Sequence, residues 1–312
     1  MKIRLPLRID YRYLVQTISL VVLLCVPRIV TAAGDATRTI KFYHGGWGLT
    51  IQAYQEELLS ELLRVTEYQY GKVKLEVYPG VMSASRADKE LGYGRHIHIM
   101  FNARKVSERD FRITSPILQS VLGLRNLVVL KKHVPIFQSI DSFQDFRIKS
   151  VGQVLGWHDS AVYMNAGINV IEALEYSKLF TMLNAERFNY IPLSIVEARG
   201  SLLLAKEGSE KFELLDNVYI YYPWPIYINI SHHYPELVDR INYGIKRMLD
   251  SGLLERIFHK HFHSYLDQIE KDNSKVIVLV NPEMSALENN DATQRVLMNY
   301  FSSSRVIWPP EN

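Results

Sequence analysis

The sequence predicts an α/β fold in two lobes, each a mostly parallel sheet flanked by helices, joined by a two-strand hinge. Three observations predict it. Short apolar strands alternate with helical stretches from Thr39 to Val280, the pattern of parallel α/β architecture. The alternation is interrupted near Ser120–Leu124 and again near Tyr222–Tyr227, as expected where a chain crosses into an inserted lobe and back. Behind an N-terminal leader, ~280 residues remain, a length that suits one large domain or two lobes.

The elements follow in order. Residues 39–44 read as the first strand. Residues 49–68 read as a helix, because Ile51, Leu58, Leu59, Leu62, Leu63 and Val65 form an apolar stripe with Glu56, Glu57, Glu61 and Arg64 between them. Residues 72–78 alternate apolar and polar as a half-buried strand does, and Pro79-Gly80 ends the run. A short helix over 83–91 and a strand over 95–101 complete the first unit. The second unit opens with a strongly apolar strand, 121–130, and a further strand, 148–155. A helix then begins after Gly156-Trp157-His158-Asp159-Ser160. Strands over 168–171 and 188–191 alternate with helices over 177–186 and 194–204. A strand over 218–222 breaks at Pro223-Trp224-Pro225 and resumes over 226–230. Residues 235–262 read as helical, 275–280 as a strand, and the rest as a polar tail. No internal repeat is evident. The predicted boundaries are a leader over 1–33, a discontinuous first lobe over 34–120 and 227–312, and a second lobe over 121–226.

The leader carries Lys2, Arg4, Arg8 and Arg12, then an apolar run from Leu14 to Val26, then Thr31-Ala32-Ala33. This is the form of a cleavable secretory signal, and the run is shorter than the ~20 apolar residues that span a bilayer. Export to the periplasm is the expectation, with no stable membrane insertion after cleavage. The chain has 36 Lys+Arg and 33 Asp+Glu; the leader holds five of the basic residues and one of the acids, so the mature part carries a net charge of −1. That balance excludes a nucleic-acid partner. The one cysteine, Cys25, lies in the leader, which excludes disulfides and thiol catalysis in the mature chain.

Candidate binding residues cluster at strand ends. Tyr43, His44 and Trp47 follow the first strand, where aromatic rings can stack on a ligand or pack the lobe. Trp157, His158 and Asp159 stand where a helix begins; the free N–H groups of a helix N-terminus suit an anionic ligand group, and Asp159 or Ser160 can equally serve as its cap. Arg187 is a candidate for a bidentate grip on a carboxylate.

Several motifs accompany them. Residues 150–199 contain Val151-Gly152-Gln153, Gly156-Trp157-His158-Asp159, Asn165-Ala166-Gly167, Leu179-Phe180-Thr181-Met182-Leu183, Arg187-Phe188-Asn189-Tyr190-Ile191-Pro192 and Glu197. Tyr222-Pro223-Trp224-Pro225-Ile226-Tyr227 and Leu279-Val280-Asn281-Pro282 follow. As a set they resemble the bacterial solute-binding proteins of the amino-acid type, family 3. The resemblance implies a type II periplasmic-binding-protein fold and capture of a small polar ligand, an amino acid or a related molecule, in an interlobe cleft by hinge closure. It also implies a monomer that hands the ligand to an inner-membrane ABC permease, and no enzymatic activity. A ligand sensor docking on a membrane receptor, or an enzyme on a binding-protein scaffold, are the alternatives.

The chain departs from that family in its ligand grips. Residues 102–116 supply Arg104, Arg109 and Arg112 without the family's Thr-x-x-Arg spacing, leaving Arg104 as the candidate there. Where the family places an Asp for the amino group, Asn189 and Ser194 stand, and Glu197 is the nearest acid. His96 and His98 share one strand face, but no HExxH or comparable ligand spacing occurs, so no metal and no cofactor are expected. No catalytic constellation stands out.

Overall fold

The computed structural model describes residues 38–310 apart from 46–47, 104–105, 114–116, 119, 205–208, 268 and 270–273. The leader, Trp47 and Arg104 therefore lie outside the described residues. In the first half the principal elements, short helical turns aside, are β1 (Arg38–Tyr43), α1 (Leu49–Val65), β2 (Val73–Val77), α2 (Ala84–Tyr93), β3 (Ile99–Asn102), β4 (Phe111–Ile113), β5 (Leu124–Leu130), β6 (Val151–Val154) and α3 (Ser160–Asn165). The second half adds β7 (Val170–Ala173), α4 (Tyr176–Asn184), β8 (Ile191–Ser194), α5 (Ala198–Leu204), β9 (Phe212–Tyr221), β10 (Tyr227–Ile230), α6 (Glu236–Asp250), α7 (Leu253–Leu266), β11 (Lys275–Val278), α8 (Ala286–Tyr300) and β12 (Arg305–Ile307).

The expected α/β architecture is present as two sheets flanked by helices. The first sheet has the order β2-β1-β3-β10-β4. β2, β1 and β3 run parallel, and β10 runs antiparallel to both β3 and β4. The apolar stripe of α1 is buried at Ile51, Leu58, Leu59, Leu62 and Leu63. α6 packs closely on it, because a Cβ at Gly244 would come within 2.8 Å of Leu62 Cγ.

The second sheet has the order β12-β11-β9-β5-β8. β6 and β7 form a parallel pair that joins the free edge of β8, through a parallel bridge between Val151 and Tyr190 and a hydrogen bond from Gly152 N–H to Tyr190 O at 2.9 Å. Taken through that junction, the second lobe reads β7-β6-β8-β5-β9, strand for strand the arrangement of β2-β1-β3-β10-β4. In each lobe three parallel strands are followed by one antiparallel strand, and that strand belongs to the segment arriving from the other lobe: β10 in the first, β5 in the second. The repeat lives in topology, and the amino-acid sequence carries no trace of it.

The chain passes from the first sheet to the second between β4 and β5 and returns between β9 and β10. The two crossings touch: Leu124 pairs with Tyr221, and Tyr222 N–H donates to Gly123 O at 3.3 Å. The expectation that all of 227–312 belongs to the first lobe needs correction. α6 and α7 pack on α1, but β11 then pairs parallel with β9, and β12 with β11, in the second sheet. The run Val276-Ile277-Val278 is buried there. Its apolarity marks a strand without saying which sheet holds it. Two further differences are local. The helical run breaks at Gly252, whose φ of +67° ends α6 and starts α7. The polar tail is α8, opened by a capping box in which Ser285 Oγ accepts from Glu288 N–H and the Glu288 carboxylate accepts from Ser285 N–H.

Candidate functional site

The C-terminal ends of β1, β3, β6 and β8 converge on one cavity of about 810 Å³ between the sheets. Clefts at strand carboxyl ends are the usual ligand sites of open α/β sheets. The first lobe supplies Tyr43, Met82, Met100 and Phe101, with Gly48 at the start of α1. The second supplies Arg125 from β5, Trp157 and Asp159 from the loop after β6, and Glu197 just before α5. Trp224, in the returning crossing, also lines the cavity.

Arg125 is the centre of the polar floor. It lies in a strand whose every residue is buried, and a buried charge is tolerable only when paired. Its guanidinium reaches Asp159 Oδ2 at 3.2 Å and lies over the Tyr222 ring at 5.2 Å. Tyr222 O–H donates to Asp159 Oδ2 at 2.9 Å, so guanidinium, carboxylate and phenol form one buried set. Burial alone would lower the guanidinium pKa. Tyr222 and Asp159 outweigh it and hold Arg125 above its ordinary value. Burial pushes the Tyr222 hydroxyl well above its ordinary value, with Asp159 acting in the same direction.

Glu197 is partly buried and joins the two lobes. Its Oε1 accepts from Gly48 N–H at 3.2 Å, at the N-terminus of the 17-residue α1, which has no side-chain cap and no acid in its first turn. A carboxylate is favourable there because that end of the helix carries free N–H groups and partial positive charge. The approach is close: a Cβ on Gly48 would stand 2.9 Å from Glu197 Oε1 and oblige the end of that side chain to shift. Burial raises the Glu197 pKa above the ordinary carboxylate value, opposed by Arg125 and the Gly48 N–H and assisted by Asp159.

Of the residues the sequence singles out, Tyr43, Trp157, His158, Asp159 and Glu197 line the cavity. His44 is turned away from it, with Nε2 at 2.7 Å from Glu56 Oε1 and its ring edge-on to Phe42. Arg187 is exposed and does not line it. Asp159 does not cap α3; its carboxylate is engaged by Arg125 and Tyr222. The expected anion site at that helix start is absent too, because the N–H groups of Ser160, Ala161 and Val162 donate to the carbonyls of Trp157, His158 and Asp159. His98 is buried, stacked on Tyr234 with ring centroids 4.0 Å apart, and away from the cavity. Arg125, Tyr222 and Gly48 are the site residues that sequence reasoning misses. A single charge inside an apolar strand run was the available signal for the first.

No protein-family model and no curated protein matches the chain. Solved structures do. An ancestral arginine-binding protein bound to arginine is 19% identical with a TM-score of 0.47, over 72% of this chain and 98% of that one. An ancestral amino-acid-binding protein, a precursor of cyclohexadienyl dehydratase, is 15% identical with a TM-score of 0.49, over 72% and 95%. The probable amino-acid ABC transporter extracellular-binding protein ytmK of Bacillus subtilis is also 15% identical at a TM-score of 0.49, over 72% and 97%. Likenesses at these identities and TM-scores fix neither ligand nor activity for this chain.

Proposed function

We propose that this protein is an exported solute-binding protein that captures a small ligand between its two lobes and delivers it to an inner-membrane ABC permease. The observation that carries the reading is the cavity itself: about 810 Å³, lined by strand ends of both sheets, and bounded by Trp224 of a chain crossing. Cavities of roughly 300–1,000 Å³ hold small molecules, and a site shared between lobes couples occupancy to their closure. A binding role suits its chemistry better than catalysis, because Asp159 is already engaged by both the Arg125 guanidinium and the Tyr222 hydroxyl in a buried set. The leader of residues 1–33 supports export to the periplasm.

The test is a thermal-shift screen of amino acids, amines, organic acids and neutral solutes against the mature protein. A ligand that binds only the native state raises the melting temperature by mass action, contributing about 2.7 kcal/mol at a hundredfold excess over Kd. At least one class is expected to do so. A flat response to the whole library would overturn the reading.

A further inference from the structure

The charges around the cavity narrow the kind of ligand it can hold, an inference that rests on the binding reading above. The buried guanidinium, Arg125, is already paired with Asp159 at 3.2 Å, and its Nε is buried with no hydrogen-bond partner among the described residues. A ligand carboxylate approaching it would compete with a carboxylate the protein has built in, and would meet the repulsion of that same group. The other basic side chains on the described lining, His158 and Arg199, are exposed at the rim, where water screens them and ion pairs are weak, and a further acid, Asp88, also lines the space.

Glu197 is in the opposite condition. It is partly buried, lines the cavity, and among the described residues its carboxylate accepts from Gly48 N–H at 3.2 Å. A carboxylate offers about four acceptor sites, so most of its capacity is unmet by that donor. Around it the walls are aromatic and aliphatic: Tyr43, Phe101, Trp157, Tyr176 and Trp224 all line the space. Ring faces attract a cation placed over them, the more so away from water. A carboxylate with acceptor capacity to spare among the described residues and several aromatic side chains lining one cavity favour positive charge on an apolar body.

We propose that the cleft selects organic cations: a protonated amine set against Glu197, an aromatic or aliphatic body against the ring-lined walls, and no requirement for a carboxylate on the ligand.

The test compares three probes that share one body, 2-phenylethylamine, L-phenylalanine and 3-phenylpropanoate, by calorimetric titration of the mature protein. The amine is expected to bind about 10-fold or more tighter than the carboxylate, the difference a charge-assisted hydrogen bond makes, with the amino acid no tighter than the amine. Glu197→Gln should reduce amine affinity by about 10-fold, with the melting temperature checked alongside. Glu197→Asp should keep the order of preference at lower affinity. Amine binding undiminished in Glu197→Gln, or a carboxylate-bearing probe bound 10-fold tighter than the amine, would sink the proposal. If the broad screen finds ligands that are all anionic or neutral, the ligand class is wrong while the binding reading stands. If it finds none, both fall.

Discussion

In the first lobe the antiparallel strand next to the parallel three is β10, whose buried residues are Ile228, Asn229 and Ile230. In the second lobe the strand in that place is β5, which carries Arg125. The same contrast extends to the cavity walls. The first lobe contributes Tyr43, Met82, Met100 and Phe101 with the acid Asp88, and the second contributes the charged set Arg125, Asp159 and Glu197 beside the rings of Trp157 and Tyr176. One strand order therefore carries two different linings. A fold repeat constrains backbone and strand order. It leaves each inward-pointing side chain open to change, so function diverges between copies without disturbing the sheet.

The contrast can be broken where the lobes join. A Cβ on Gly123 would stand 1.8 Å from Tyr222 O, a backbone atom that cannot swing aside. Gly123→Ala should force the two crossings apart and cost more than about 4 kcal/mol in denaturant unfolding, within the range of severe lesions. An unchanged midpoint would show that the crossings are not held as described.

A smaller effect should be confined to the second lobe. Arg125→Met leaves Asp159 buried without its cation, a loss of about 3–5 kcal/mol by the usual behaviour of broken buried pairs. Adding Asp159→Asn should restore part of it. Equal instability in the single and double variants would mean that the pairing is not the reason.

The smallest effect separates the lobes by pH. In the first, burial pushes the His98 pKa down from 6.5 to about 4, with Lys41 and Arg38 acting the same way and Glu236 opposing. The unfolded chain binds that proton more readily, so stability falls as pH drops from 6.5 towards 4. In the second, the raised Glu197 pKa gives the opposite sign. The folded state holds the proton longer, so its contribution is fully present below the ordinary carboxylate value of 4.5 and is lost as pH rises through the raised value. The groups facing Glu197 are Arg125, Asp159, Tyr176 and the Gly48 N–H. His98→Phe should flatten the acid side of the stability curve, and Glu197→Gln should flatten the fall above 4.5. Coincident curves for either variant and the parent would remove that residue from the account.

Much of this was legible in the sequence, for local reasons. The stripe of α1, the alternation of β2 and the Pro223-Trp224-Pro225 break are written in neighbouring residues, whereas the stretch read as a polar tail is α8, its Ser285–Glu288 capping-box spacing overlooked. Tyr43, Trp157, Asp159 and Glu197 sit at strand ends, so the α/β pattern alone places them near a cleft. What was illegible depends on distant partners. Asp159 reads as a helix cap until Arg125, 34 residues earlier in the chain and across the sheet, is seen to hold it. Arg187 offers the right head group for a carboxylate, but its position on the exposed turn before β8 points to no cavity. The placement of β11 beside β9 is decided by packing that no local pattern encodes.

The last strand has a consequence for solubility. β11 lies inside the run Lys275-Val276-Ile277-Val278-Leu279-Val280, apolar and rich in β-branched residues, the composition from which cross-β assemblies start. β9 satisfies one side of it and β12 the other. β12 is three residues long, and Arg305 at its start is tied to Asp141 at 2.9 Å. A short edge strand pinned by a charge is a poor template for another chain. β12 thus works as a cover strip over Lys275–Ile277, the start of that apolar run.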